Sequence, residues 1–175
     1  MRFLYALAAL ACTAAAQTSN VQAVRNDIAN ITTLMATLSS DVKLVKPGSA
    51  GIAQALQVQV DAVNIHKRLL TSIDDTESSA PFGAGGSLSI GLDFIGLSPK
   101  VKTTLQDVTK QKAALGELGI VVLSSLYQLK QDTDAFGAAV LEKLDALEKA
   151  IAPAIIKDLD KAFNDAIVAY GGKAT

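Results

Sequence analysis

The chain has 175 residues, 16 Lys+Arg against 17 Asp+Glu, and is 50% hydrophobic but only 5% aromatic, with no Trp. A charge of −1 is a poor match for nucleic acid, whose phosphates call for a basic surface. With one Cys and one His, no disulfide framework and no zinc site can be assembled, and no nucleophile-elbow pattern is present.

Met1-Arg2, the apolar run Phe3 to Ala11 and the small residues Ala14-Ala15-Ala16 predict a secretory signal peptide over 1–16. The run is too short to span a bilayer. Its removal would take away Cys12 and Arg2. Lys+Arg would fall from 16 to 15 against 17 acids, moving the charge from −1 to −2. A single disulfide-free domain, 17–175, is expected to remain. It begins with a helix from about Asn20 to Ser40, with Asn20 as N-cap and Val21, Val24, Ile28, Ile31, Met35 and Leu38 as its apolar stripe. Lys46-Pro47-Gly48-Ser49 is the stop and turn.

The second helix is expected from about Ala50 to Ile73, with Ile52, Leu56, Val60, Val63, Leu70 and Ile73 inward and Val58, Ile65 and Leu69 widening the apolar surface. Asp74 to Gly86 should be a flexible surface loop and the candidate lid, with Phe82 an anchor on the core in preference to a mobile aromatic. Leu88, Leu92 and Ile95 fit a short helix that Gly91 and Gly96 weaken. Ser98-Pro99 then marks either the N-cap and first turn of the third main helix or a kink in one longer helix.

Leu118 to Leu147 carries one long stripe: Val122, Leu126, Leu129, Thr133, Phe136, Val140, Leu144 and Leu147. The last helix follows Ala152-Pro153, with Ile155, Ile156, Leu159, Phe163 and Ile167 inward and Tyr170-Gly171 closing it. The expected fold is an all-α bundle of four long helices and one short one, enclosing an apolar cavity. No later stretch is apolar enough to span a membrane. The C-terminal residues Tyr170 to Thr175 carry no hydrophobic tail, so no lipid-anchor signal is expected.

Reactive chemistry is sparse. His66, flanked by Lys67 and Arg68, reads as a solvated or rim histidine. Asp74, Asp75 and Glu77 read as a solvated helix end, since they lack the alternating ligands and central Gly of a calcium loop. Gly83, Gly85 and Gly86 have no preceding strand and no following Lys-Ser/Thr, so they are not a phosphate loop. The expectation is a non-catalytic protein without metal or cofactor. Asn30-Ile31-Thr32 is a glycosylation sequon, making Asn30 a candidate modified residue. Thr133, the polar member of the long stripe, either bonds back to a carbonyl one turn earlier or presents its hydroxyl to a ligand.

Several stretches of the second half carry a family likeness. They are Lys110-Gln111-Lys112-Ala113-Ala114-Leu115, Val121-Val122-Leu123-Ser124-Ser125-Leu126, Leu129-Lys130-Gln131-Asp132-Thr133-Asp134-Ala135-Phe136-Gly137, and the run from Asp160 to Tyr170. Together they resemble the fungal hydrophobic surface-binding protein A family, to which cell-wall galactomannoproteins belong. The resemblance implies a secreted or wall-associated all-α domain. Some members adsorb to hydrophobic surfaces and some hold fatty acids between helices. The Ser/Thr-rich stalk of anchored members is missing here.

Two functions follow as expectations. The first is binding of a long-chain fatty acid in an inter-helix cavity lined by Met35, Leu38, Leu56, Val63, Leu126, Leu129, Phe136 and Val140, with Thr133 or Tyr127 at the head group. The alternative is a surface-active, cell-wall-associated protein that coats hydrophobic surfaces. A cell-wall polysaccharide or a recruited secreted hydrolase are the further partners it suggests.

Overall fold

A computed structural model describes residues 19–175; the expected signal peptide and the boundary after Ala16 lie outside the described residues. The helices are α1 (Val21–Lys43), α2 (Ile52–Glu77), α3 (Gly83–Lys110), the one-turn α4 (Lys112–Leu115), α5 (Gly119–Lys143) and α6 (Ala146–Ala169). Short 3₁₀ turns at Gly48–Gly51 and Gly116–Leu118 complete the connections. There is no strand among the described residues. The all-α bundle is therefore as expected, but its helices are divided differently.

The five long helices close a ring in the order α1, α2, α5, α6, α3 and back to α1. Polar ties fix the register between neighbours. Arg25 pairs with Asp93 at 2.6 Å and Ser39 Oγ donates to Asp107 at 2.8 Å, so α1 and α3 run parallel. Ser125 Oγ donates to Gln59 at 2.9 Å and His66 Nδ1 lies 2.6 Å from Asp132, so α2 and α5 run parallel too. Phe136, Phe163, Ile31, Met35, Ile65 and Ile90 fill the middle of the ring. Removing such side chains from water is the main stabilising term, on the order of 1.5–3 kcal/mol each.

α1 is built as its pattern predicts: Val24, Ile28, Ile31, Met35 and Leu38 are all buried. α2 is turned the other way. Its buried face is Ala55, Val58, Ala62, Ile65 and Leu69, while Ile52, Leu56, Val60, Val63 and Leu70 are exposed. The helix is apolar on two faces, and periodicity alone does not say which one packs. The small Ala55 and Ala62 lie on the packed face, where short side chains let neighbouring helices approach.

The expected loop at Asp74 to Gly86 is short, because α2 runs to Glu77 and α3 begins at Gly83. It is pinned and does not form a mobile lid. Ser79 is fully buried and its Oγ accepts from the Asn20 N–H at 2.8 Å, while Lys143 Nζ donates to the carbonyls of Glu77 and Ser79 at 2.9 and 2.7 Å. Phe82 is buried, in keeping with an anchor on the core. Gly83 starts α3 from a φ of 66°, a region that side chains rarely adopt.

α3 runs unbroken through Pro99, so the reading of one longer helix holds. Pro99 deprives the Ile95 carbonyl of its intrahelical donor. The long stripe, by contrast, is cut. Leu144 and Asp145 are extended, with ψ of 155° and 168°. Local propensity would carry a helix through Glu142 to Lys149; long-range hydrogen bonds override it. The Phe82 N–H donates to the Lys143 carbonyl at 3.0 Å, and the Asp145 N–H donates to Ser87 Oγ at 2.9 Å. Asp145 then becomes the residue before α6, which starts at Ala146 and contains Pro153. The charged residues of α5 are not all solvated either. Lys130 is buried and reaches Asp134 at 2.9 Å and Asp160 on α6 at 2.6 Å.

Candidate ligand-binding groove

An apolar cavity of about 200 Å³ opens between α3, α5 and the first half of α6. α3 contributes Leu88, Ile90, Gly91, Leu92, Phe94 and Ile95; α5 contributes Gly137, Val140 and Leu141, and the link after it Leu144. The third wall is Leu147, Ile151, Ala152, Ile155 and Ile156, with Glu148 the lone ionisable residue among the described residues of the lining.

Five large aliphatic side chains around this cavity are half or more exposed: Leu88 55%, Leu92 58%, Ile95 51%, Leu147 70% and Ile151 52%. Single exposed aliphatics are ordinary, but a contiguous set around a concavity marks a surface that something apolar covers. The half of α6 that carries it is only loosely committed to the core. The fully buried residues of α6 are Leu159, Phe163, Ala166 and Ile167, all beyond Pro153.

Two helix-interior glycines shape the walls. A Cβ on Gly91 would stand 3.5 Å from Glu148 Cγ, and one on Gly137 would stand 3.4 Å from Ile156. Each costs its helix about 1 kcal/mol relative to Ala. Their lack of a side chain makes room for the α6 side chains Glu148 and Ile156 at the groove wall.

The residues expected to line a cavity are dispersed. Val140 lines this groove, and Phe136 lies directly behind it, its ring centroid 5.4 Å from that of the wall residue Phe94. Met35, Leu38, Leu126 and Leu129 are buried in the central core, and Leu56 and Val63 are exposed on α2. Thr133 Oγ1 donates back to the Leu129 carbonyl at 2.7 Å, so its hydroxyl is used within α5. Tyr127 Oη binds the C-terminal tail, donating to the Lys173 carbonyl and accepting from the Lys173 N–H, both at 2.8 Å. Asn30 is exposed on α1, while the sequon's Thr32 Oγ1 is bonded to the Ile28 carbonyl at 2.8 Å.

His66 is less solvated than its basic neighbours suggest. Asp132, itself buried, takes His66 on one oxygen and Gln128 Nε2 on the other at 2.9 Å. The pair ties α2 to α5. Missed by sequence reasoning were Leu88, Leu92 and Ile95 as a groove wall, together with Leu147 and Ile151. Their three- and four-residue spacing was visible, but the same spacing also describes core.

Comparison with known structures agrees with the ring of helices. The chain is similar to Afmp4p, whose crystal structure is a complex with palmitic acid, at 24% identity and a TM-score of 0.82 over 86% of this chain and 99% of that one. It is also similar to ligand binding domain 1 of the Penicillium marneffei MP1 protein, complexed with arachidonic acids, at 17% identity and a TM-score of 0.80 over 86% and 98%. Ligand binding domain 2 of the same protein, complexed with multiple arachidonic acids, gives 16% identity and a TM-score of 0.75 over 88% and 96%. No curated protein sequence matches. The family model of hydrophobic surface binding protein A matches residues 21–142, which spans α1 to nearly the end of α5, and the chain belongs to that family.

Proposed function

We propose that this protein binds a long-chain fatty acid in the groove between α3, α5 and α6. The observation that carries the reading is the contiguous set of exposed aliphatics around one almost wholly apolar cavity. The fatty-acid complexes of similar structures support it. Burying about 12 methylenes would contribute roughly 10 kcal/mol gross at ~0.8 kcal/mol each, before the cost of ordering chain and protein. Calorimetric titration of the delipidated protein with palmitic acid tests this. Saturable binding at one or a few sites is expected, and no heat and no displacement of a fluorescent fatty acid would refute it.

The reading is of a carrier and not an enzyme, supported by the fatty-acid complexes of the similar ligand-binding domains. It also places the protein outside the cell, at or near the wall, in line with the signal-like run Phe3 to Ala11. Asn30, exposed and within a sequon, is then a candidate glycan carrier. Loss of mass from the secreted protein on treatment with an amidase specific for N-glycans tests that assignment; an unchanged mass rejects it.

A second reading, adsorption to hydrophobic surfaces, is favoured by a separate observation. Ile52, Leu56, Val60, Val63 and Leu70 form an exposed apolar stripe along α2, away from the groove. Depletion of the protein by hydrophobic beads, against an unrelated helical protein, distinguishes this activity from ligand uptake.

A further inference from the structure

The apolar groove does not end at Ile95 and Ile155. Both residues also line a second pocket of about 390 Å³, further along the parallel helices α3 and α6. Here the chemistry changes. Ser98, Pro99 and Lys102 come from α3, and Asp158, Lys161, Ala162 and Asp165 from α6. The two concavities adjoin at Ile95 and Ile155, and the stretch they make along α3 is aliphatic at the Leu88–Leu147 end and charged at the other.

Among the described residues, the cations lining the two concavities are Lys102 and Lys161. Lys161 is already held by Asp165 at 2.7 Å. Lys102 makes no hydrogen bond or ion pair among the described residues, and neither does the Ser98 hydroxyl one turn away on the same helix. Spacing of three to four residues puts their side chains on one face. At the opposite end the lone ionisable lining residue among those described is Glu148, which repels a carboxylate. Leu88 and Lys102 are fourteen residues apart in one helix, about 21 Å at the helical rise, comparable to a long acyl chain.

We propose that the bound fatty acid lies along α3 with its carboxylate at Lys102 Nζ and Ser98 Oγ and its tail toward Leu88 and Leu147. This rests on the fatty-acid reading above and adds the direction of the ligand and the groups that select an acid. Asp158 and Asp165 line the same pocket and disfavour a carboxylate there, so the acid's advantage over an uncharged analogue is modest. Lys102 is exposed, and an ion pair at such a site is worth a factor of about three to five in affinity.

The test compares palmitic acid with the alcohol of the same chain length, titrated into the wild-type protein, Lys102→Gln, Lys102→Arg and Asp158→Asn. Lys102→Gln should weaken acid binding about three- to fivefold and leave the alcohol unchanged. Lys102→Arg should retain the acid, and Asp158→Asn should tighten it about twofold. The carboxyl carbon of ¹³C-labelled palmitate, followed by NMR, should titrate at lower pH on the wild type than on Lys102→Gln. Equal acid affinity and an equal carboxyl titration in both proteins would overturn the assignment while leaving the groove reading intact. Tightening of the acid by Glu148→Gln with no effect at Lys102 would reverse the ligand and also overturn it. If the wild type takes up neither acid nor alcohol, the underlying fatty-acid reading falls as well.

Discussion

Replacing Gly91 by Leu should move stability and ligand affinity in opposite directions. Gly91 lies inside α3 at an ordinary helical φ, and its nearest obstacle to a Cβ is Glu148 Cγ at 3.5 Å, a normal contact. A side chain can therefore be added without strain at its first atom. The remaining atoms of Leu extend into the groove, whose wall Gly91 forms. The helix gains from losing a glycine, about 1 kcal/mol, which for a chain of this size raises Tm by roughly 2–4 °C. The ligand loses the space the new side chain fills. If that excludes about three methylenes at ~0.8 kcal/mol each, affinity falls by roughly 2.4 kcal/mol, or about fiftyfold. Gly91→Ala separates the effects: it should bring most of the stabilisation and little of the affinity loss. Thermal melts followed by circular dichroism give the first quantity, and displacement of a fluorescent fatty acid gives the second. A Gly91→Leu protein that melts higher and still binds palmitic acid as tightly as wild type would refute the location of the ligand.

Three further outcomes test the fold and its surfaces. Asp61 is buried on α2, with Oδ1 accepting from Gln57 Nε2 at 2.9 Å and Oδ2 unpartnered; burial, then the facing Asp41 of α1, pushes its carboxyl above the usual range against the opposing effect of Gln57. A raised folded-state pKa adds stability that is complete below the ordinary value of ~3.9 and lost as pH rises through the raised one. Asp61→Asn should therefore stabilise the protein by about 1 kcal/mol at pH 7, with the gain shrinking toward pH 4; a gain that grows on acidification would contradict the assigned sign. Tyr170 is buried with its hydroxyl donating to the Val108 carbonyl at 2.8 Å, and burial pushes its pKa up to about 12. Tyr170→Phe should cost about 1 kcal/mol in denaturant unfolding, and a neutral substitution would show that the bond adds nothing. Leu56→Gln with Val60→Gln should reduce adsorption to hydrophobic beads while leaving Tm and fatty-acid affinity within error, because both side chains are more than half exposed on α2. Undiminished adsorption would remove that stripe from the activity.

Some of this architecture is written locally and some is not. The α1 stripe is legible because Val24, Ile28, Ile31, Met35 and Leu38 have no apolar rival on the opposite face. α2 has one, and the stripe with the larger aliphatics proves to be the outer one. The end of α5 is illegible for another reason. Nothing between Glu142 and Lys149 disfavours helix, and the break depends on Phe82 and Ser87, about 60 residues earlier, which supply the competing bonds. The groove was hidden by the same ambiguity as the outer face of α2. Leu88, Leu92, Ile95, Leu147 and Ile151 carry a core-like spacing, and only the arrangement of three helices shows that the described residues leave them half or more exposed. The family likeness pointed to an acyl ligand, but the middle of α5, where the longest stripe lies, is mostly occupied by ordinary core.

The uneven anchoring of α6 has an evolutionary consequence. Past Pro153 the helix supplies Leu159, Phe163, Ala166 and Ile167 to the interior, and changes there tax folding directly. Before it, Leu147 and Ile151 touch the groove and solvent, so their size can drift at little cost to the rest of the molecule. On the proposed function, substitution in two turns of one helix would retune which ligand is carried while the scaffold is inherited unchanged. A lineage of such proteins could diversify in cargo faster than in shape.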